Sequence, residues 1–174
     1  YSSAASDVYK RQIYNRFGPD FAIDHGLVLA RNEHALATVG FGHRYPSVEI
    51  WSTSALDQPW RMEPEEVDAM ADLVHAVHVV VGPHVPCNEE WHHRPVGVGA
   101  PVPWRINLKL RVSTLAGFEG GTKIYVNAIS PASLTSRLLP EMVRAREAGL
   151  IAPMDLGDEC SVPRGVLAST RVRG

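Results

Sequence analysis

A chain of 174 residues with 45% hydrophobic content can bury one core, so a single domain is the expectation. A net charge of −2 and a pI near 6.5 exclude the strongly basic footprint of a nucleic-acid-binding surface. No apolar run approaches the ~18 residues of a membrane span, no signal-peptide pattern is present, and Cys87 and Cys160 lack a C-x-x-C pairing, so neither a disulfide framework nor a cysteine metal site is expected and the cytoplasm is the default compartment.

Residues 1–12, Y-S-S-A-A-S-D-V-Y-K-R-Q, resemble translated sequencing adapter at the ends of assembled metagenomic sequences. They are set apart from fold reasoning, and the protein is expected to have continued upstream of Ile13. Basic residues elsewhere are almost all arginine, which suits bidentate phosphate or carboxylate contacts. Chains rich in Ala, Val, Gly and Pro carry the same bias for reasons unrelated to ligands.

Residues 26–31, 34–42 and 47–52 read as strands, the last alternating apolar and polar members, with Gly40, Gly42 and Pro46 marking the turn between the second and third. Glu63-Pro64-Glu65-Glu66 announces a long helix, because proline suits the first turn and acids complement the helix dipole. Val67, Met70, Ala71, Val74, Val77 and Val81 are expected on its buried face, and Gly82-Pro83 ends it. His75 and His78 are read as core-edge histidines. Residues 83–103 read as a Pro/Gly/Val-rich loop centred on Asn88-Glu89-Glu90-Trp91-His92-His93.

Residues 104–112 form the clearest strand. Trp104, Ile106, Leu108, Leu110 and Val112 face one way, while Arg105, Asn107, Lys109 and Arg111 face the other. A further strand is expected over 122–128, then a helix from Ser130 to about Ala148, weakened by Pro140. From Ala152 the pattern dissolves, and 151–174 is expected as a mobile tail beyond a domain at 13–150. The order of elements predicts an α+β fold: an antiparallel sheet with one long helix and a shorter C-terminal helix. A cationic strand face beside a glycine-rich turn is what a phosphate-bearing ligand needs, although a merely solvated face has the same composition.

The run Leu115-Ala116-Gly117-Phe118-Glu119-Gly120-Gly121-Thr122-Lys123-Ile124-Tyr125-Val126-Asn127 resembles the A-G-F-E…G-T…Y-x-N signature in the second half of the galactose-1-phosphate uridylyltransferase family. Further matches follow in the family's order. Residues 42–51 resemble P-F-x-x-R-x-P-x-E-x-W, Pro86-Cys87-Asn88 resembles P-Y-N, and 103–108 stand where the family has an H-W-H-I-E-I or H-W-x-L-H-A-H strand. Asn127 to Arg137 resembles N-x-x-x-P-E-x-A-A-x-x-L-R, with Ser133 in the place of glutamate.

The resemblance implies a histidine-triad-like fold and a site on its sheet. It places Phe118 against the ligand, and Glu119 and Asn127 on sugar hydroxyls, often across a dimer interface, so a homodimer is one expectation. Arg105, Asn107 and Lys109 complete the expected substrate contacts. They also replace the alternating histidines with which some members hold a structural metal, and protonated Arg and Lys are not metal ligands. No metal and no cofactor are therefore expected, and His92 and His93 alone are weak evidence for one.

The family's nucleophilic H-P-H-x-Q is missing, and none of the eight histidines stands in an H-x-H arrangement. No catalytic residue is assigned. The expected partners are a nucleotide sugar or sugar 1-phosphate and a missing N-terminal half, with no nucleic acid and no membrane. The leading expectation is an inactive fragment of a nucleotidylyltransferase that works through a covalent nucleotidyl-histidine. Two alternatives stay open: a non-catalytic nucleotide-sugar-binding or dimerisation module, and a dinucleotide phosphorylase or hydrolase of the histidine-triad superfamily.

Overall fold

The computed structural model describes residues 12–114 and 116–167. The adapter-like segment up to residue 11, Leu115 of the glycine-rich motif and residues 168–174 lie outside the described residues.

Among the described residues six strands form one antiparallel sheet: β1 (Val28–Arg31), β2 (Ala35–Val39), β3 (Ser47–Ser52), β4 (Cys87–His92), β5 (Arg105–Leu110) and β6 (Asp155–Leu156), in the order β4-β5-β3-β2-β1-β6. Among the described residues the sheet is accompanied by helices α1 (Pro19–Asp24), α2 (Pro64–Val81), α3 (Gly117–Thr122) and α4 (Pro131–Glu147), and residues 12–16 are helical as well. The α+β class is as expected, and α4, at 17 residues, is shorter than the 18-residue α2. No helix among the described residues is long and apolar enough to cross a membrane.

Strand alternation divides the sheet into two chemically different faces. Ala35, Ala37 and Val39 of β2, Val48 and Ile50 of β3, and Ile106, Leu108 and Leu110 of β5 join one core with Met70, Leu73, Ala76 and Val77 of α2 and Leu134, Leu138 and Met142 of α4. The intervening residues face away from the helices: Thr38, Glu49, Trp51, Arg105, Asn107, Lys109, Glu90 and His92. Both long helices are set on the first face; on the second, Thr38, Glu49, Trp51 and Asn107 are buried, while Arg105, Lys109, Glu90 and His92 keep partial exposure.

The start of α2 follows from its sequence. Pro64 occupies the first turn, and the Glu66 carboxylate accepts the Glu63 backbone N–H at 3.1 Å. Gly82 closes it at φ +78°, a conformation that favours glycine. Its buried stripe differs from expectation: Ala69, Met70, Leu73, Ala76 and Val77 are buried, whereas Val67 and Ala71 are exposed. The sheet meets the helix along Leu73, and this choice depends on how the helix is rolled against β2 and β3. The second long helix runs through Pro140 without ending.

Three other expectations are corrected. The 83–103 loop contains an edge strand, β4, paired with β5 over its whole length. It lacks apolar alternation because it borders solvent: Glu89 is held by His78 at 2.9 Å, and Trp91 lies against Trp104 with ring centroids 5.6 Å apart. The strand expected over 122–128 is absent. Instead α3 occupies Gly117–Thr122, capped by Lys123 in the left-handed region at φ 61°. No sheet edge reaches this segment, so its polar groups are satisfied locally; the Thr122 hydroxyl donates to Phe118 O and accepts the Ile124 N–H.

The third correction concerns the tail. Beyond residue 150 the chain buries Ile151, Met154, Leu156 and Leu167 and adds β6 to the sheet edge. The Asn15 side chain donates to Leu167 O at 3.3 Å and accepts its N–H at 2.9 Å, joining the two ends of the described chain. Short polar stretches hid this packing from periodicity. Arg146 anchors the segment through a bidentate pair with Glu159, whose carboxylate also accepts the Leu156 N–H at 3.1 Å.

These bonds hold the Glu159 carboxyl at about 2 against an ordinary value of 4.5, the Arg146 hydrogen bond being the main cause. A depressed folded-state value contributes stability above the unfolded value, and that contribution disappears as pH falls from 4.5 toward 2. Glu159→Gln is therefore expected to lower the melting temperature at neutral pH and to converge on the parent in acid. A gap that stays constant across that acid range, followed by circular dichroism, would contradict the assignment.

Candidate ligand site on the open face of the sheet

The open face is assembled by register. Glu49 of β3 pairs with Asn107 of β5, which pairs with Glu90 of β4. On one side of that row Trp51 pairs with Arg105, and Arg105 with His92; on the other Ser47 pairs with Lys109, and Lys109 with Asn88. Arg105, Asn107 and Lys109 are thus brought together on one face, as their spacing predicts. Arg111, expected beside them, lies exposed past the end of β5, where it lines a cleft of about 520 Å³ with Tyr45, Pro86, Ser113 and Thr114.

Each cation on this face has a carboxylate neighbour. Lys109 Nζ lies 2.5 Å from Glu90 Oε1, and His92 Nε2 lies 3.5 Å from Glu90 Oε2. The Lys109 ammonium keeps the Glu90 carboxyl below its ordinary value. Burial, with Arg105 adding to it, lowers His92, so the imidazole is neutral at neutral pH. Glu49, only 7% exposed, meets His43 Nε2 at 3.3 Å and stands 3.9 Å from Arg105 Nε. The Arg105 guanidinium stacks over Trp51 at 5.0 Å and Tyr14 at 5.8 Å, giving it an apolar seat.

Two polar atoms are left over. Asn107 is 2% exposed, and its Oδ1 has no hydrogen-bond partner among the described residues; Arg105 Nε is in the same position. Buried unsatisfied groups of this kind need an explanation, and a ligand or ordered water at the face is one.

Phe118, Glu119 and Asn127 are placed elsewhere, on an exposed arm formed by α3 and the segment after it. Glu119 Oε2 accepts the Ala116 N–H at 3.1 Å, Asn127 Oδ1 accepts the Ile129 N–H at 3.3 Å, and the Phe118 side chain is exposed. Among the described residues no hydrogen bond, ion pair or ring contact joins these three to the β5 trio. The arm touches the body through Arg44, which lies 4.4 Å over the Tyr125 ring and 5.3 Å over that of Tyr45.

His92 and His93 diverge, His92 onto the open face and His93 against the edge of Trp60 at 4.9 Å. Among the described residues no group of three or more His, Cys, Asp or Glu stands close enough to hold a metal. A second cavity, about 570 Å³ and lined by Arg31, Asn32, Glu33, Arg146, Pro153, Met154 and Asp155, opens near β6; its two arginines are engaged by Ser161 O and Glu159.

The sequence assigns no substrate contact to His43, Glu49, Glu90 or His92, and offers His92 only as weak evidence for a metal. Glu49 carried a signal, as the charged member of an alternating strand. The others did not, because their position depends on which strands become neighbours.

The family described as "Domain of unknown function (DUF4921)" matches residues 4–169. Three similar solved structures are a uridylyltransferase mutant, a GalT-like protein from Arabidopsis thaliana, and an ADP-glucose phosphorylase from the same plant with bound ADP-glucose. Their sequence identities are 15%, 16% and 17%, and their TM-scores 0.58, 0.57 and 0.58. The matches cover 82%, 79% and 80% of this chain and 53%, 50% and 48% of theirs, so this chain spans about half their length. At such identities the likeness is one of fold, an α+β architecture with an antiparallel sheet, as expected from the sequence. No curated protein matches the chain.

Proposed function

We propose that this chain, which belongs to the DUF4921 family, is a domain that binds a nucleotide sugar or sugar 1-phosphate and serves within a nucleotidylyltransferase resembling galactose-1-phosphate uridylyltransferase. The observation that carries the reading is the placement of Arg105, Asn107 and Lys109 side by side on the sheet face opposite the helices. Two cations there neutralise phosphate oxygens, and a neighbouring amide orients them. The exposed arm contributes Glu119 and Asn127 to sugar hydroxyls and Phe118 to the sugar's apolar face. Their present bonds are local and water-exposed, so a ligand replaces them at little cost.

In this reading the chain binds and positions, and the nucleophilic histidine belongs to a separate repeat of the intact protein. Covalent transfer then divides between the two: a histidine of that repeat attacks the α-phosphate of the nucleotide sugar as the bond to the sugar 1-phosphate breaks and that group leaves, and this chain stabilises the phosphate charge.

Calorimetric titration of the full chain with UDP-glucose, ADP-glucose and galactose 1-phosphate tests the proposal. Lys109→Met and Arg105→Met are each expected to weaken binding about tenfold, the effect of losing one charge-assisted contact. Equal binding by both variants and the parent, or no binding of any of the three compounds at millimolar concentration, would sink it.

A further inference from the structure

Glu90 lies between two donors on the second face of the sheet. Its two carboxylate oxygens are divided between two donors on adjacent strands, Oε1 toward Lys109 Nζ at 2.5 Å and Oε2 toward His92 Nε2 at 3.5 Å. His92 in turn is paired across the ladder with Arg105. The Nε of Arg105 is buried without a hydrogen-bond partner among the described residues, and its nearest carboxylate oxygen, on Glu49, is at 3.9 Å, beyond hydrogen-bond range. Lys109 and His92 therefore share a single internal anion, and Arg105, whose buried Nε lacks a hydrogen-bond partner among the described residues, stands across the ladder from His92.

Glu90 is also free to leave. Its side chain is 39% exposed and sits on β4, the outermost strand on that side of the sheet. A half-exposed ion pair on an edge strand is weak, whereas an anion with more oxygens can engage Lys109, His92 and Arg105 together. The neutral His92 imidazole serves as an N–H donor without adding a charge.

We infer that His92, Lys109 and Arg105 form an oxyanion-binding site, and that Glu90 is its built-in competitor, displaced when a tetrahedral phosphate or sulfate group binds. The inference starts from the reading of the open face as the phosphate-contacting surface. It goes beyond that reading by adding His92 as a donor and by giving Glu90 a sign opposite to that of a ligand contact.

The test is calorimetric titration of sulfate, whose charge is constant near neutral pH, into the full chain and its Glu90→Gln, Glu90→Ala and His92→Gln variants, with UDP-glucose titrated alongside. Thermal melts confirm that each variant is folded. Both Glu90 variants are expected to bind sulfate about five- to tenfold tighter than the parent, and His92→Gln several-fold weaker. Unchanged or weaker sulfate binding by the folded Glu90 variants overturns the inference, and if UDP-glucose still binds, the proposed function survives that result. Tighter sulfate binding with no UDP-glucose binding supports the oxyanion site and removes the nucleotide-sugar reading instead.

Discussion

Leu73→Ala is expected to lower the free energy of unfolding by about 3–4 kcal/mol, the range for deleting a large aliphatic side chain from a fully packed site. Leu73 is 0% exposed at the centre of the α2 stripe and belongs to the same core as the sheet residues on the helix-covered face. Truncation removes its dispersion contacts and leaves a cavity that the rigid ladder beneath cannot close. Val67→Ala on the same helix, 37% exposed, should cost less than about 1 kcal/mol. Urea denaturation checks both, with the slope unchanged if only the native state is affected. Equal midpoints for the two variants would mean that the helix is rolled differently, with the valine stripe inward.

The second large effect is expected at Glu49. Removing its carboxylate by Glu49→Ala should cost about 2–3 kcal/mol. Glu49 is nearly buried and is the carboxylate nearest both His43 and Arg105, so its loss leaves a guanidinium pinned against Trp51 and Tyr14 without a nearby counter-charge. The figure is set below that for a wholly buried pair because Arg105 keeps 21% of its side chain exposed to water. A double-mutant cycle with Arg105→Met isolates the interaction, and a coupling of about 1 kcal/mol or more is expected. A coupling near zero would show that Arg105 is held by its aromatic seat alone. Glu49 is then a positioning residue: it sets where the Arg105 guanidinium lies on the face that the proposed ligand uses.

These two residues differ in how they could be found. Glu49 was visible as a charge in an otherwise β-branched and aromatic alternation, so its strand and its face were readable. Leu73 does not stand out in the sequence, because valines and alanines at neighbouring positions offer an equally good helical stripe. The site showed the same division. Arg105, Asn107 and Lys109 share a face because a strand has a period of two, a property of the local backbone. Glu90 and His92 lie in a segment without periodicity, and only the pairing of β4 with β5 brings them to Lys109 and Arg105. The glycine-rich motif failed in the opposite way. Its Ile124-Tyr125-Val126 run has the composition of a strand, but a strand needs a ladder partner, and neither edge of the sheet supplies one.

By itself the sequence determined the α+β class, the three opening strands, both long helices with their start signals, and the amphipathic character of β5. Those features depend on side-chain period, capping and proline or glycine punctuation within a few residues of one another. Tertiary structure alone decided the strand order, the roll of α2, the packing of the C-terminal segment and the ion pairs that neutralise the open face. Each of these joins residues distant in the chain, and their energies come from burial and charge pairing that no local pattern encodes.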